Sequence, residues 1–234
     1  MIDCKRLQEN AARCGVPLTA EQVQLLDRYA ELLVETNARF NLTAITDPEG
    51  IENKHFIDSL LLAAQEEASG SLVDVGSGAG FPGVVAKIYK PALSLTLLEP
   101  TGKRLDFLRQ LCDALGLEAD FLKERAEEAA RKAWREQFDT ATARAVARLD
   151  KLAEYCLPLV KVGGTFLAMK AESAVEELEE ARPAIRKLGG EVVGLRRFAL
   201  PGGDERGIIV IKKISHTPPA YPRNGGKIAK FPLK

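Results

Sequence analysis

The sequence is poor in the residues that build metal and thiol sites. Its 234 residues include four cysteines, Cys4, Cys14, Cys112 and Cys156, and two histidines, His55 and His216. No two cysteines form a C-x-x-C pair, so a zinc site is not expected and reduced thiols are. No apolar run approaches the roughly 18 residues that a membrane span needs. The start, Met1-Ile2-Asp3-Cys4-Lys5-Arg6, lacks the apolar stretch of a secretory signal. There is no internal repeat. Together these absences predict a cytoplasmic protein with no membrane partner and no metal, expected to work as a monomer.

What is present suits a buried core, with 46% hydrophobic and 28% charged residues. The formal net charge of zero hides an asymmetry. Residues 1–70 carry 6 Lys/Arg against 12 Asp/Glu, whereas residues 182–234 carry 12 against 3. A basic C-terminal quarter fits either contact with a polyanion or an ordinary solvated surface.

Along the chain, Thr19 to about Thr36 has helical periodicity behind a Thr19/Gln22 capping box. Ile51 to about Gln65 predicts a second helix. From Leu72 onward strands and helices alternate. Strands are expected at Leu72–Val75, Ser94–Glu99, Ala119–Lys123, Phe138–Ala143 and Thr165–Met169. Helices are expected at Pro82–Tyr89, Lys103–Leu115, Ala126–Trp134, Leu149–Val162 and Ala171–Leu188. The last two strands, Glu191–Leu200 and Gly207–Lys213, have no helix between them and should pair antiparallel. The alternation predicts an α/β fold, an open and mainly parallel sheet with helices on both faces. The expected organisation is an N-terminal helical extension (1–70), a sheet domain (71–214) and an irregular basic tail (215–234) packed on that domain.

The stretch from Val73 to Gly83, Val-Asp-Val-Gly-Ser-Gly-Ala-Gly-Phe-Pro-Gly, organises the rest. It reads as a buried strand, a glycine turn and a helix start, with Pro82 placed to open the helix. Such a unit binds a nucleotide-like ligand at the C-terminal strand edge. No Lys or Arg lies between Asp74 and Ala86, which argues against a phosphate-cleaving site. Gly78 to Gly83 matches G-x-G-x-x-G, and Glu99 follows Gly78 by 21 residues, the spacing of a ribose-binding carboxylate. That leaves a nicotinamide cofactor and S-adenosylmethionine (AdoMet) both open. Asp74, ahead of the turn, suits the ammonium end of AdoMet better than a pyrophosphate. Ala126-Glu127 is a candidate purine-side pair.

The strand ending Ala141-Thr142-Ala143-Arg144 has no Asn/Asp-Pro-Pro-aromatic element, which argues against methylating an exocyclic amine. Cys156 falls within a helix and reads as core. A guanine N7 needs neither device, because its lone pair is free at neutral pH. Arg144 then has several open roles: the cofactor, guanine O6, a phosphate or a structural ion pair. His55 and Asp58 share a helix face and read as docking the N-terminal helices. A non-catalytic RNA-binding protein of this fold remains an alternative to both enzymes.

Several segments carry a more specific signal. They are Phe40-Asn41-Leu42-Thr43-Ala44-Ile45, Lys54-His55-Phe56-Ile57-Asp58-Ser59-Leu60, the glycine turn, and Glu99-Pro100-Thr101-Gly102-Lys103-Arg104. Further on come Ala141-Thr142-Ala143-Arg144-Ala145, Gly163-Gly164, Met169-Lys170-Ala171 and Pro218-Pro219-Ala220-Tyr221-Pro222-Arg223. With these, the chain resembles the RsmG (GidB) family of AdoMet-dependent guanine-N7 methyltransferases of 16S ribosomal RNA. The resemblance implies a class I AdoMet-methyltransferase (Rossmann-like) fold with an antiparallel last strand and an N-terminal helical extension. It implies AdoMet as cofactor and 16S rRNA or the small ribosomal subunit as partner. Gly76, Phe81, Glu99, Ala126, Glu127 and Arg144 match cofactor positions, Glu99 standing where the family often has Asp. Arg144 and Lys170 are the candidates for a catalytic role. Arg196, Arg197 and Arg206 are candidates for RNA phosphate contacts.

Overall fold

Polar caps fix the first helices. Asp3 accepts from the Arg6 N–H at the start of α1 (Cys4–Arg13). The capping box is formed: Gln22 N–H donates to Thr19 Oγ1 and Thr19 N–H to Gln22 Oε1, opening α2 (Ala20–Asn37). Such a cap stabilises a helix by about 1 kcal/mol. Asp47 caps the single turn α3 (Pro48–Gly50). A π-helical stretch, Ile51–Ile57, follows and runs into α4 (Asp58–Ala63). The helix expected over Ile51–Gln65 is therefore composite, because apolar periodicity does not reveal the wider π turn. These assignments come from a computed structural model that describes residues 2–171 and 174–234.

The alternating part comprises β1 (Ser71–Val75), α5 (Gly83–Tyr89), β2 (Ser94–Leu98), α6 (Gly102–Leu115), β3 (Asp120–Leu122), α7 (Ala126–Ala129) and β4 (Phe138–Arg144). It continues with α8 (Leu149–Cys156), β5 (Val160–Lys170), α9 (Ala174–Lys187), β6 (Gly190–Ala199) and β7 (Glu205–Lys213), and a short α10 (Gly225–Lys230) follows. The seven strands lie in the order β3-β2-β1-β4-β5-β7-β6. β1 to β5 pair in parallel, and β7 runs antiparallel to both neighbours. The predicted mainly parallel sheet with an antiparallel last strand is what forms.

Alternate strand residues face opposite layers. Leu72, Leu95 and Leu97 join a core with α2, α4, α5 and α6, while Val73, Val75, Ala141 and Phe166 pack with α8 and α9. The N-terminal helices thus share one hydrophobic core with a sheet face. Among the described residues, no helix is long and apolar enough to cross a membrane.

Four expectations need correction. The Leu149–Val162 helix stops at Cys156, where Pro158 imposes a 3-10 turn, and β5 already begins at Val160, so Gly163-Gly164, expected to end the helix, lie inside a strand. Helix α7 is four residues, not nine. Beyond it, Arg131 and Arg135 turn to donate to Pro222 and Tyr221 carbonyls, drawing the chain off the helical path. Pro82 is the N-cap of α5 rather than its first residue. The tail is not irregular throughout: Asn224 caps α10 by accepting from the Lys227 N–H, and Ile228 is buried. Of the helix expected over Ala171–Leu188, Glu172 and Ser173 lie outside the described residues.

Candidate active site

The glycine turn joins β1 to α5 at the C-terminal edge of the sheet. Gly76, Gly78 and Gly80 have φ of 70°, 57° and 99°, a region closed to most side chains. Gly80 is also needed for space, since a Cβ there would lie 2.5 Å from the Tyr29 hydroxyl. That hydroxyl, fully buried on α2, donates to Ala79 O at 2.6 Å and so ties the turn to the N-terminal helices.

Two carboxylates hold the turn from within. Asp74 is fully buried and its Oδ2 accepts from the Gly83 N–H at 2.9 Å, capping α5 from beneath. Burial pushes its carboxyl up to about 7. One oxygen of Asp74 is thus spent on the turn, while Oδ1 is buried and, among the described residues, has no hydrogen-bond partner. Glu99 follows β2, with Oε2 accepting from Gly78 N–H at 3.0 Å and Oε1 from Thr101 N–H at 2.8 Å. Its side chain is 3% exposed.

Two cavities open on this edge. One, of about 450 Å³, is lined by Gly76, Pro100, Arg125, Ala126, Glu127 and Tyr155, among others. The other, of about 580 Å³, is lined by His55, Asp58, Arg144, Met169, Lys170 and Arg206, among others. They share Val146, Ala147 and Arg148, the loop leaving β4. Ala145 takes φ 57° to start that loop. Val146 then covers Gly76 so closely that a Cβ on Gly76 would lie 2.7 Å from Val146 Cγ2.

The wall of the larger cavity is a closed polar network. Arg144 Nη1 donates to Asp58 Oδ2 at 2.9 Å and to Lys54 O at 2.7 Å, and Nη2 donates to His55 Nδ1 at 3.1 Å. Because Nδ1 accepts, the ring proton sits on Nε2 and is donated to Thr43 Oγ1 at 2.9 Å. Burial, reinforced by the Arg144 charge, drops the His55 pKa to about 3, so the ring is neutral. The Arg144 guanidinium lies over the Phe81 ring at 5.0 Å, and His55 and Tyr29 stack on that ring at 4.4 and 5.0 Å. Arg206 approaches Asp58 Oδ1 at 3.5 Å. Lys170 pairs with Glu177 at 2.7 Å and donates to Ala147 O at 2.7 Å, which fixes the shared loop.

A family model described as "GidB: rRNA small subunit methyltransferase G" matches residues 22–204. The chain belongs to this family. A curated relative named Ribosomal RNA small subunit methyltransferase G, from Geobacillus thermodenitrificans, is 50% identical over 238 aligned positions and covers 100% of both chains. One of the same name from Alkaliphilus metalliredigens is 44% identical, covering 97% of this chain and 98% of its own. Among solved structures, a precorrin-6y C5,15-methyltransferase from Geobacter metallireducens superposes with a TM-score of 0.51 at 15% identity. It covers 72% of this chain and 90% of that one, a likeness of fold alone.

Within the small-subunit methyltransferase G family fold, the expected site residues separate into groups. Gly76, Ala126 and Glu127 line the smaller cavity, and Glu99 lies in the chain between Leu98 and Pro100, which both line it. Arg144, Lys170 and Arg206 line the larger one. Phe81 lines neither and serves as the platform under Arg144 and His55. Arg196 lines neither cavity and pairs with Glu67 through both terminal nitrogens at 2.7 and 2.6 Å, pinning the segment before β1 onto β6. Arg197 is exposed on the same strand and lines neither cavity, but it borders a small depression together with Ala171 and Arg206 of the larger one. Sequence reasoning missed Val146, Tyr155 and Ala229 as cavity residues. Val146 had one signal, its place just after Arg144 at a strand end; Ala229 had none.

The smaller cavity fits AdoMet on its own terms. Glu127 is 5% exposed. Among the described residues, no hydrogen bond reaches its carboxylate, so a buried acceptor stands open where a purine amine or ribose hydroxyl has donors to give. The bare Cα of Gly76 floors the same space.

Proposed function

We propose that the protein transfers a methyl group from AdoMet to N7 of a guanine in 16S ribosomal RNA, as a cytoplasmic monomer. Family membership across nearly the whole chain supports the reaction class. The observation that carries the site reading is the pair of cavities meeting at Val146–Arg148, one for the donor and one for the base. Glu127 and Gly76 would hold the adenosine part, and Glu99 keeps the turn closed around it. AdoMet, when bound, supplies an electrophilic methyl group on a sulfonium. The shared loop, fixed by Lys170 through Ala147 O, sets where the base meets it.

The charge pattern favours N7 as acceptor. N7 forms its new bond with a free lone pair, so no proton has to be removed and no general base is needed. The purine becomes cationic in doing so. The larger cavity meets that cation with Arg144 paired to Asp58 and Lys170 paired to Glu177, not with bare positive charge. Catalysis is then mainly placement of the base in line with the methyl group. Arg144 and Lys170 act as positioning residues in this reading. Cys156, fully buried, is out of reach of any base. All four cysteines are free thiols, which suits a reducing compartment.

Incubation with AdoMet and small-subunit rRNA or subunits, followed by nuclease digestion and mass spectrometry, should yield 7-methylguanosine. A product methylated only on an exocyclic amine, a C5 carbon or a ribose would exclude the N7 assignment. A sizing column run on the same preparation should give the mass of one chain.

A further inference from the structure

We propose that the C-terminal segment forms the outer wall of the purine end of the cofactor cavity, with Arg223 anchoring it and Ala229 facing the ligand. The proposal rests on the AdoMet reading above. The segment is bolted to the fold. Arg223 donates from its backbone N–H and Nε to Glu154 Oε1 at 2.7 and 2.9 Å, and from Nη2 to Oε2 at 2.6 Å. Glu154, on α8, is fully buried. A charged pair of this kind fixes geometry at a considerable desolvation cost, and here what it fixes is the start of α10. Arg135 adds bonds to Tyr221 O at 2.8 Å and Thr217 O at 2.6 Å. Past the helix, Leu233 is buried again, so the segment is held at both ends.

Its middle is placed against the cavity. Gly225 abuts the Glu127 carboxylate so tightly that a Cβ there would collide with Oε1. Ala229, one turn further along α10, is exposed and lines the cavity. The tail therefore covers the one buried carboxylate in this cavity that, among the described residues, has no hydrogen-bond partner. Covering one side of it leaves less room for water around the acceptor, and an acceptor in a less solvated site binds a ligand N–H or O–H more strongly. A tail serving only as a staple would have no need to present a small residue to the cavity.

The test is calorimetry on full-length protein with AdoMet and with 5′-methylthioadenosine, which lacks the amino-acid end. Ala229→Trp fills the cavity from an exposed position and should weaken both ligands at least tenfold, with the unfolding midpoint unchanged. Arg223→Ala should weaken both as well, and Arg223→Lys should recover part of the loss. Wild-type affinity in Ala229→Trp would overturn the proposal, whether or not Arg223→Ala folds. A loss confined to AdoMet would also overturn it, since that places α10 at the amino-acid end, as would a raised KM for rRNA with unchanged cofactor affinity. Wild-type protein that binds no AdoMet would instead overturn the cofactor reading itself.

Discussion

The two cavities share a loop but differ in how their charges are settled. Around the larger one the buried and half-buried charges of the wall are paired: Arg144 with Asp58, Lys170 with Glu177, Arg206 with Asp58. Around the smaller one Glu127 is buried and open. The contrast shows how one sheet edge serves two ligands. A wall of satisfied pairs is preorganised and discriminates by shape, which suits a neutral base that becomes a cation. A wall with an unmet acceptor draws in a ligand rich in donors. The first should therefore fail through lost structure when mutated, and the second through lost affinity.

Arg144→Ala should give the largest effect. It strips Asp58, 4% exposed, of its main partner and His55 of its donor. Breaking such a buried pair costs about 3–5 kcal/mol, so denaturant unfolding should show a loss of that order and methyl transfer should vanish. Unchanged stability would mean that the network is not what holds this wall.

The same network has a pH signature. The His55 pKa is about 3 when folded, against 6.5 for the free side chain. Between those values the unfolded chain takes up a proton that the folded one refuses, so stability falls as pH drops from 6.5 toward 3. The slope from this group is about 1.4 kcal/mol per pH unit. His55→Gln lacks it, and the difference in unfolding free energy between the two proteins should narrow across that window. A pH-independent difference would show that His55 titrates normally.

Glu99 and Glu127 then test the contrast within the cofactor side. Either residue changed to Ala should weaken AdoMet by about 1–3 kcal/mol, the worth of a hydrogen bond to a charged group. Only Glu99→Ala should also lower the unfolding midpoint, because Gly78 and Thr101 N–H lose their acceptors. Equal stability loss in both would remove the distinction drawn here.

Much of this was legible beforehand, and the exceptions share a cause. The strand–glycine–helix unit, the Thr19 cap and the antiparallel last pair are local or topological, and periodicity and turn chemistry reveal them. The employment of each carboxylate was not visible. Asp74 and Glu99 both follow the ligand-binding spacing, yet both spend oxygens on backbone N–H groups, and only the folded turn shows which. Arg196 reads as an RNA-contact candidate because its basic surroundings are visible in sequence, whereas its ion pair with Glu67, 129 residues away, is visible only in the fold. Ala229 and Gly225 carry no chemistry of their own and matter only through position.

Arg196→Ala should have the smallest effect. The pair with Glu67 is partly exposed, so about 0.2–1 kcal/mol of stability is at stake, and the salt dependence of rRNA binding should stay as in wild type. A shallower salt slope would restore Arg196 as a phosphate contact.

The assignment of one cavity to the donor and its neighbour to the base is tested most directly by a crystal structure with S-adenosylhomocysteine. The account predicts the purine against Glu127 and Ala229, with the sulfur beneath Val146 at the junction with the larger cavity. Density for the nucleoside among His55, Arg144 and Lys170 would contradict it.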